Sequence, residues 1–169
     1  MTPIPPFREL IAGTTHSAIH LEMRDSYTPT DQRFLRWKAG HSIERPANPA
    51  WVGLVRDHVA RGVSFRRARI VSEPVTDYIR FEHEITNGVN IAAGEKVRWL
   101  PRRAASDLCL PGNDFWVFDE KIIRFHHFSG DGEIVEDELV KDPDTVRMCV
   151  SAFEAVWERA LDHEKYQPF

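Results

Sequence analysis

The stretch Arg69-Ile70-Val71-Ser72-Glu73-Pro74-Val75-Thr76-Asp77-Tyr78-Ile79-Arg80-Phe81-Glu82 runs from a strand, through an acidic turn with a proline, into a charged amphipathic helix. That order is the joint of a layered α/β unit. Two later runs complement it, residues 93–102 (AGEKVRWLPR) and 110–119 (LPGNDFWVFD), each with polar groups gathered at a strand end.

Working outward, Val63, Phe65 and Arg67 alternate into the first strand, read over 63–71. Upstream of it, Asn48 caps a helix with Pro49 in its first turn, and Trp51, Leu54, Val55, His58 and Val59 recur at helical spacing until Gly62. Downstream, Pro74 takes an early helical position, and Val75, Tyr78, Ile79 and Glu82 share one side of that helix. Asn87-Gly88 breaks it. A strand follows over 96–100, stopped by Pro101, then a short helix over 102–108 and strands over 114–119, 121–128 and 133–140. The last helix carries Val146, Cys149, Val150, Phe153, Val156, Trp157 and Ala160 on one broad apolar face.

The fold class is therefore α/β: a mixed layered sheet with flanking helices and a three-strand antiparallel C-terminal portion. The crossover from 63–71 to 96–100 permits a parallel pair. Residues 1–45 read as an N-terminal helical arm packed on the main domain, with short helices over 7–11, 16–24 and 31–38, and residues 46–169 as a single α/β domain, Pro46 to Pro49 marking the boundary.

Bulk properties exclude several classes. With 169 residues, 42% hydrophobic and 28% charged, one domain with a substantial core is expected. No apolar run approaches the roughly 20 residues of a membrane helix, and the start lacks a secretory signal, so the expectation is a cytoplasmic protein without membrane contact. The net charge of −4, from 22 Lys+Arg against 26 Asp+Glu, offers no global attraction to nucleic acid, and none is expected as a direct partner. Cys109 and Cys149 lie far apart in apolar surroundings and read as small core residues.

Candidate groups fall into three sets. Arg69, Glu73, Asp77 and Arg80 form either a cap and ion-pair network or a ligand pocket. Arg98 and Arg102 flank Trp99 and either grip an anion, with the indole as a stacking surface, or pair with Glu73, Asp77 or Asp119. Asp114, Trp116 and Asp119 bracket an aromatic strand, in which alternation sets Phe115, Val117 and Asp119 opposite Trp116 and Phe118. His126 and His127 are adjacent and point to opposite sides of a strand, while His16 and His20, at i,i+4 spacing, lack a third ligand. No metal, cofactor or catalytic residue is assigned, and the G-x-S-x-G elbow is missing around Ser72.

Taken with residues 21–27 (LEMRDSY) and Trp37-Lys38-Ala39-Gly40, these segments resemble an actinobacterial family of uncharacterised proteins commonly encoded near Xre-type helix-turn-helix regulators. The resemblance extends over nearly the whole chain. It implies a non-enzymatic accessory or regulatory protein that binds another protein, an Xre-type regulator being the partner its setting suggests. A more distant similarity to a phospholipase-D-like fold module, also used without catalysis as a sensor, implies a small-molecule sensor for an anionic ligand. The catalytic version of that module needs a His-x-Lys pattern with an Asp downstream; His163-Glu164-Lys165 has the His-x-Lys spacing without an Asp after it, against a phosphodiester-acting enzyme. The ligand set for the sensor reading is Arg69, Glu73, Asp77, Arg80, Arg98, Trp99, Arg102 and Asp119.

Overall fold

The computed structural model describes residues 4–43 and 47–169. Seven strands form one mixed sheet in the order β6-β5-β4-β1-β2-β3-β7. They are β1 (Ser17–Glu22), β2 (Ser64–Val71), β3 (Lys96–Pro101), β4 (Asp114–Phe118), β5 (Ile122–Phe128), β6 (Ile134–Val140) and β7 (Leu161–Asp162). The parallel pairs are β1 with β2 and β2 with β3, and all other pairs are antiparallel. The expected fold class is the one observed, including the antiparallel run β4-β5-β6.

Helix α5 (Pro143–Arg159) covers one face of the sheet. Its Val146, Cys149, Phe153 and Val156 pack on Ile19, Leu21, Ala68, Ile70, Phe115, Val117 and Ile123, the alternate residues of four strands. Asp142 caps this helix through Thr145 N, and Pro143 sits in the first turn, where its missing N–H costs nothing.

The opposite face is covered in two patches. Helices α1 (Phe7–Ala12) and α3 (Pro49–Ala60) cover Ala18, Phe65, Trp116 and Phe118. Helices α2 (Gln32–Lys38) and α4 (Asp77–Thr86) cover Val71, Val97 and Trp99. Between the two apolar patches lies a band of buried polar and charged residues.

Several local expectations need correction. Residues 17–22 form a central strand, not a helix, so the segment read as a helical arm supplies the strand between β4 and β2. Burial of both faces of β1 leaves five of its six residues buried, erasing the alternation that identifies a strand. The boundary at residues 45 and 46 lies outside the described residues. Helix α4 is capped by Thr76, whose hydroxyl accepts from Ile79 N, and Pro74 precedes it. Asn87-Gly88 does not stop the helix: residues Asn87–Ile91 continue it as a π-helical turn. The segment ends at Gly94, whose φ of +92° favours glycine and where a Cβ would lie 3.0 Å from Val59 Cγ1. Cys149 is core, whereas Cys109 is exposed.

Candidate functional site

The polar band is built by strand alternation. In β1, Ile19 and Leu21 face α5, so His20 and Glu22 face the other way. In β2, Ala68 and Ile70 face α5, and Arg67 and Arg69 share the face of His20 and Glu22. Register sets His20 beside Arg67 and Glu22 beside Arg69. All four side chains are buried, with residue exposures of 7%, 7%, 8% and 4% for His20, Glu22, Arg67 and Arg69.

Buried charges of this kind persist only when paired. Glu22 receives both guanidinium groups, Arg67 through Nη1 and Arg69 through Nε. Arg67 Nε also donates to Glu95 Oε1 at 2.8 Å, and Arg69 donates to Thr86 Oγ1 at 2.7 Å and to Glu82 Oε1 at 3.3 Å. The π-helical turn carries Asn90, whose amide donates to Glu95. Burial alone raises the Glu22 carboxyl, but Arg67 and Arg69 outweigh it and hold it well below the usual carboxylate range. Glu82 goes the other way: burial, with the Glu22 charge added, overcomes Arg69 and pushes it up to about 7.

A cleft of about 370 Å³ opens above this band. Its aromatic walls are Phe7 from α1, Trp51 from α3 and Trp116 from β4. Phe7 and Trp116 meet edge to face at 5.2 Å, and Trp51 lies 5.8 Å from Trp116. The His20 ring stacks on Trp116 at 4.2 Å and 17°, and the Arg67 guanidinium lies 5.3 Å from the Trp116 ring. At the far side, Asp137 of β6 bridges Arg124 and His126 of β5. Burial depresses the His20 and His126 imidazoles, and Asp137 only partly restores His126, so both rings are neutral near pH 7.

Five buried atoms on four of the lining residues have no hydrogen-bond partner among the described residues: His20 Nδ1, Trp51 Nε1, Glu82 Oε2, and Arg124 Nε and Nη1. His20 Nδ1 lies 3.4 Å from Glu22 Oε1, close enough for an electrostatic contact but not aligned as a hydrogen bond. An unsatisfied buried polar atom costs about 1–3 kcal/mol, so five in one cleft is a concentration that folding alone does not favour. Such a set presents at least three N–H donors and one carboxylate acceptor to anything that enters.

Of the eight residues singled out from the sequence, the cleft takes only Arg69. Trp99 is wholly buried, stacked on Tyr166 at 5.5 Å, with its indole donating to His163 Nδ1 at 3.1 Å. Arg98 points to the α5 face and bonds Asp162 at 2.8 Å and the Trp157 carbonyl at 2.9 Å. Arg102 ties Ser72, Asp25 and the Met23 carbonyl together. Glu73 accepts from the Tyr166 hydroxyl at 2.9 Å, Asp77 meets Lys38 at 3.3 Å on the surface, and Arg80 is exposed on α4. The pairing alternative for Arg98 and Arg102 is thus the observed one, though with other carboxylates than those expected.

Asp119 is a clamp between strands. Its carboxylate accepts from the backbone N–H groups of Thr15, His16 and Ser17 at 2.8–2.9 Å and from the Thr15 hydroxyl at 2.9 Å, while its own backbone sits at φ +51°. Burial opposes the charge, but these donors win and lower the carboxyl to about 2. A depressed carboxyl stabilises the fold above the unfolded value near 4, and that contribution is lost as pH falls toward 2. Asp119→Ala is expected to cost roughly 1–2 kcal/mol in urea unfolding at pH 7, with most of the difference gone by pH 2. A cost that stays constant over that range would show that the charge is not what holds the clamp.

Sequence reasoning missed Glu22, Arg67, Glu82, Arg124 and Asp137 as a set, and left His20 and Trp116 without one. A signal existed. His20 and Glu22 are polar at strand spacing between apolar neighbours, Arg67 and Arg69 repeat that spacing in the next strand, and Glu82 lies on the apolar side of its helix. Reading 16–24 as a helix hid the first pair. Among the described residues, no group of three or more His, Cys, Asp or Glu is placed to hold a metal ion.

With this geometry in place, residues 5–168 match the family described as Domain of unknown function (DUF6879), and the chain belongs to that family. No curated protein matches it. Among solved structures, TrmBL2, described as an archaeal chromatin protein with a novel mode of DNA binding, matches with a TM-score of 0.48 at 13% identity. The match covers 90% of this chain and 47% of the TrmBL2 chain, so this chain spans about half the length of that solved protein. The expectation of no direct nucleic-acid partner is withdrawn, because it rested on net charge and a sum of −4 does not constrain any one surface. At that TM-score and identity the likeness does not carry DNA binding over to this chain. No helix among the described residues is long and apolar enough to cross a membrane.

Proposed function

We propose that this member of the DUF6879 family binds a small polar molecule with an anionic group in the cleft on the α3–α4 side of its sheet, and serves as a sensor module. The observation that carries this reading is the convergence of five unpaired buried polar atoms on one aromatic-walled cleft. Its volume falls within the usual range for metabolite sites, and a few convergent polar groups set among aromatic rings is their usual composition. The anion's natural seat is Arg124, which keeps two guanidinium nitrogens free while Asp137 holds the third in place. The polar and aromatic groups that carry the site come from strands and packed helices, so their geometry is set by the fold before any ligand arrives.

Thermal-shift measurements with small carboxylates and phosphates at millimolar concentration test the reading. A ligand present at 100 times its Kd is expected to add about 2.7 kcal/mol of stability, and Trp51 and Trp116 report its entry by fluorescence. Arg124→Met, which keeps the apolar stem, is expected to weaken binding about 10- to 100-fold. Stabilisation that is unchanged in Arg124→Met would move the anion site elsewhere.

A further inference from the structure

We infer that the ligand of the cleft is a zwitterion whose carboxylate is seated at Arg124 and whose ammonium group, several bonds away, is seated at Glu82. This rests on the binding role proposed for the cleft and names the chemical class that fits it.

The two ends differ in kind. At one, Arg124 Nε and Nη1 are donors without partners among the described residues, a surface that takes an acceptor. At the other, Glu82 Oε2 is an acceptor without a partner, on a residue only 8% exposed. Charge counting separates them further. The buried residues hold two arginines, Arg67 and Arg69, against four carboxylates, Glu22, Glu82, Glu95 and Asp114, of which Asp114 is satisfied by the Tyr27 hydroxyl and Met23 N. Glu22 bonds both arginines and Glu95 bonds Arg67, whereas Glu82 has only the 3.3 Å contact to Arg69. The uncompensated charge therefore sits at Glu82, which an ammonium neutralises and a second anion repels.

The ends are also apart. Arg124 on β5, Trp116 on β4, His20 on β1 and Arg67 on β2 stand in one row across four adjacent strands. Three interstrand steps of about 4.8 Å give roughly 14 Å between the Arg124 and Arg67 backbones, and Glu82 of α4 meets the β2 end of the row through Arg69, two residues beyond Arg67. Side chains shorten that distance from both sides, and the Trp116–His20 stack floors the middle. Adjacent amino and carboxylate groups do not serve both ends, but a short methylene chain lying on the aromatic floor does.

Protonation supplies an independent readout. Glu82 faces Arg67 and Arg69 from β2, Glu22 from β1, Asp114 from β4, Tyr27 from the loop after β1 and Tyr78 from its own helix, and Glu95, just before β3, pairs with the same Arg67. With its carboxyl near 7, Glu82 is partly protonated at neutral pH, and an ammonium must bind the ionised form. Affinity for a zwitterion therefore rises as pH increases from 5.5 to 8, whereas a group accepting a hydrogen bond from protonated Glu82 binds better as pH falls.

Isothermal titration calorimetry on the full chain with β-alanine, 4-aminobutanoate and 6-aminohexanoate, each beside its deaminated carboxylate, tests this. The expected result is an optimum chain length, a preference of at least tenfold for that amino compound, and affinity rising with pH. Glu82→Gln, which removes the excess buried charge and so retains the fold, is expected to abolish the preference and the pH slope while Arg124-dependent carboxylate binding remains. Equal binding of both series, or affinity that falls with rising pH, overturns the zwitterion and leaves the anion cleft standing. Binding of neither series, with inorganic phosphate and the simple carboxylates equally silent, overturns both.

Discussion

Glu22→Ala is expected to be the most destabilising single substitution in the polar band, costing about 3–5 kcal/mol in urea unfolding at pH 7. Glu22 sits where β1 and β2 run side by side and accepts from both Arg67 and Arg69. Removing one partner of a buried charge cluster leaves the others desolvated and uncompensated, which is where costs of that size arise. Here two guanidinium groups are stranded at once, although Glu95 and Glu82 retain part of the compensation. Glu22→Gln keeps the shape and the acceptor oxygen, and its cost is expected to be smaller. Because Glu22 is depressed far below its unfolded value, its contribution is complete above about pH 5 and fades only in strong acid. A cost below 1 kcal/mol for Glu22→Ala would mean that water reaches the arginines and that Glu22 is not what compensates them.

Trp99→Ala is expected to cost a similar amount, about 3–5 kcal/mol, for an unrelated reason. Trp99 is wholly excluded from solvent between Tyr166, His83 and the Arg69 guanidinium, which lies 4.8 Å from its ring. Truncation opens a cavity at the centre of the α2–α4 patch. Trp99→Phe separates the parts: it retains most of the packing and loses the indole bond to His163, worth about 1 kcal/mol. That bond needs an unprotonated His163. Burial lowers its imidazole to about 4, so this part of the stability is present above the unfolded value of 6.5 and is lost as pH falls from there through 4. The same scan on Trp99→Phe is expected to show a shallower decline. If Trp99→Ala unfolded at nearly the wild-type urea concentration, Trp99 would be a surface platform after all, the role its flanking arginines first suggest.

Much of the fold was legible because its periodicities are strong. The α5 face, the parallel step from β2 to β3 and the β4-β5-β6 meander follow from apolar spacing and turn residues alone. Two elements misled for identifiable reasons. In residues 17–22 both faces are buried, so apolar residues and charges intermix and the helical spacing of Ile19 and Met23 stands out instead. At Asn87-Gly88 a turn signal is overridden by tertiary context, since the π-helical turn places Asn90 against Glu95.

The site was the least legible part. Arg98, Arg102 and Asp119 drew attention because arginine or aspartate beside an aromatic run has the composition of a binding surface, yet each is spent on holding loops and strand ends together. Composition near a strand end does not distinguish the two uses, because both require charged groups where the backbone turns.

By itself, the sequence determined the α/β class, most of the elements and the faces they bury, since these depend on local spacing and on the free energy of covering apolar side chains. Only the tertiary structure decided that His20, Glu22, Arg67, Arg69, Glu82 and Arg124 meet around one cleft. They come from β1, β2, α4 and β5, separated by up to about a hundred residues, and sheet order and register bring them together. Charge on a strand has no preferred partner until the neighbouring strand is known.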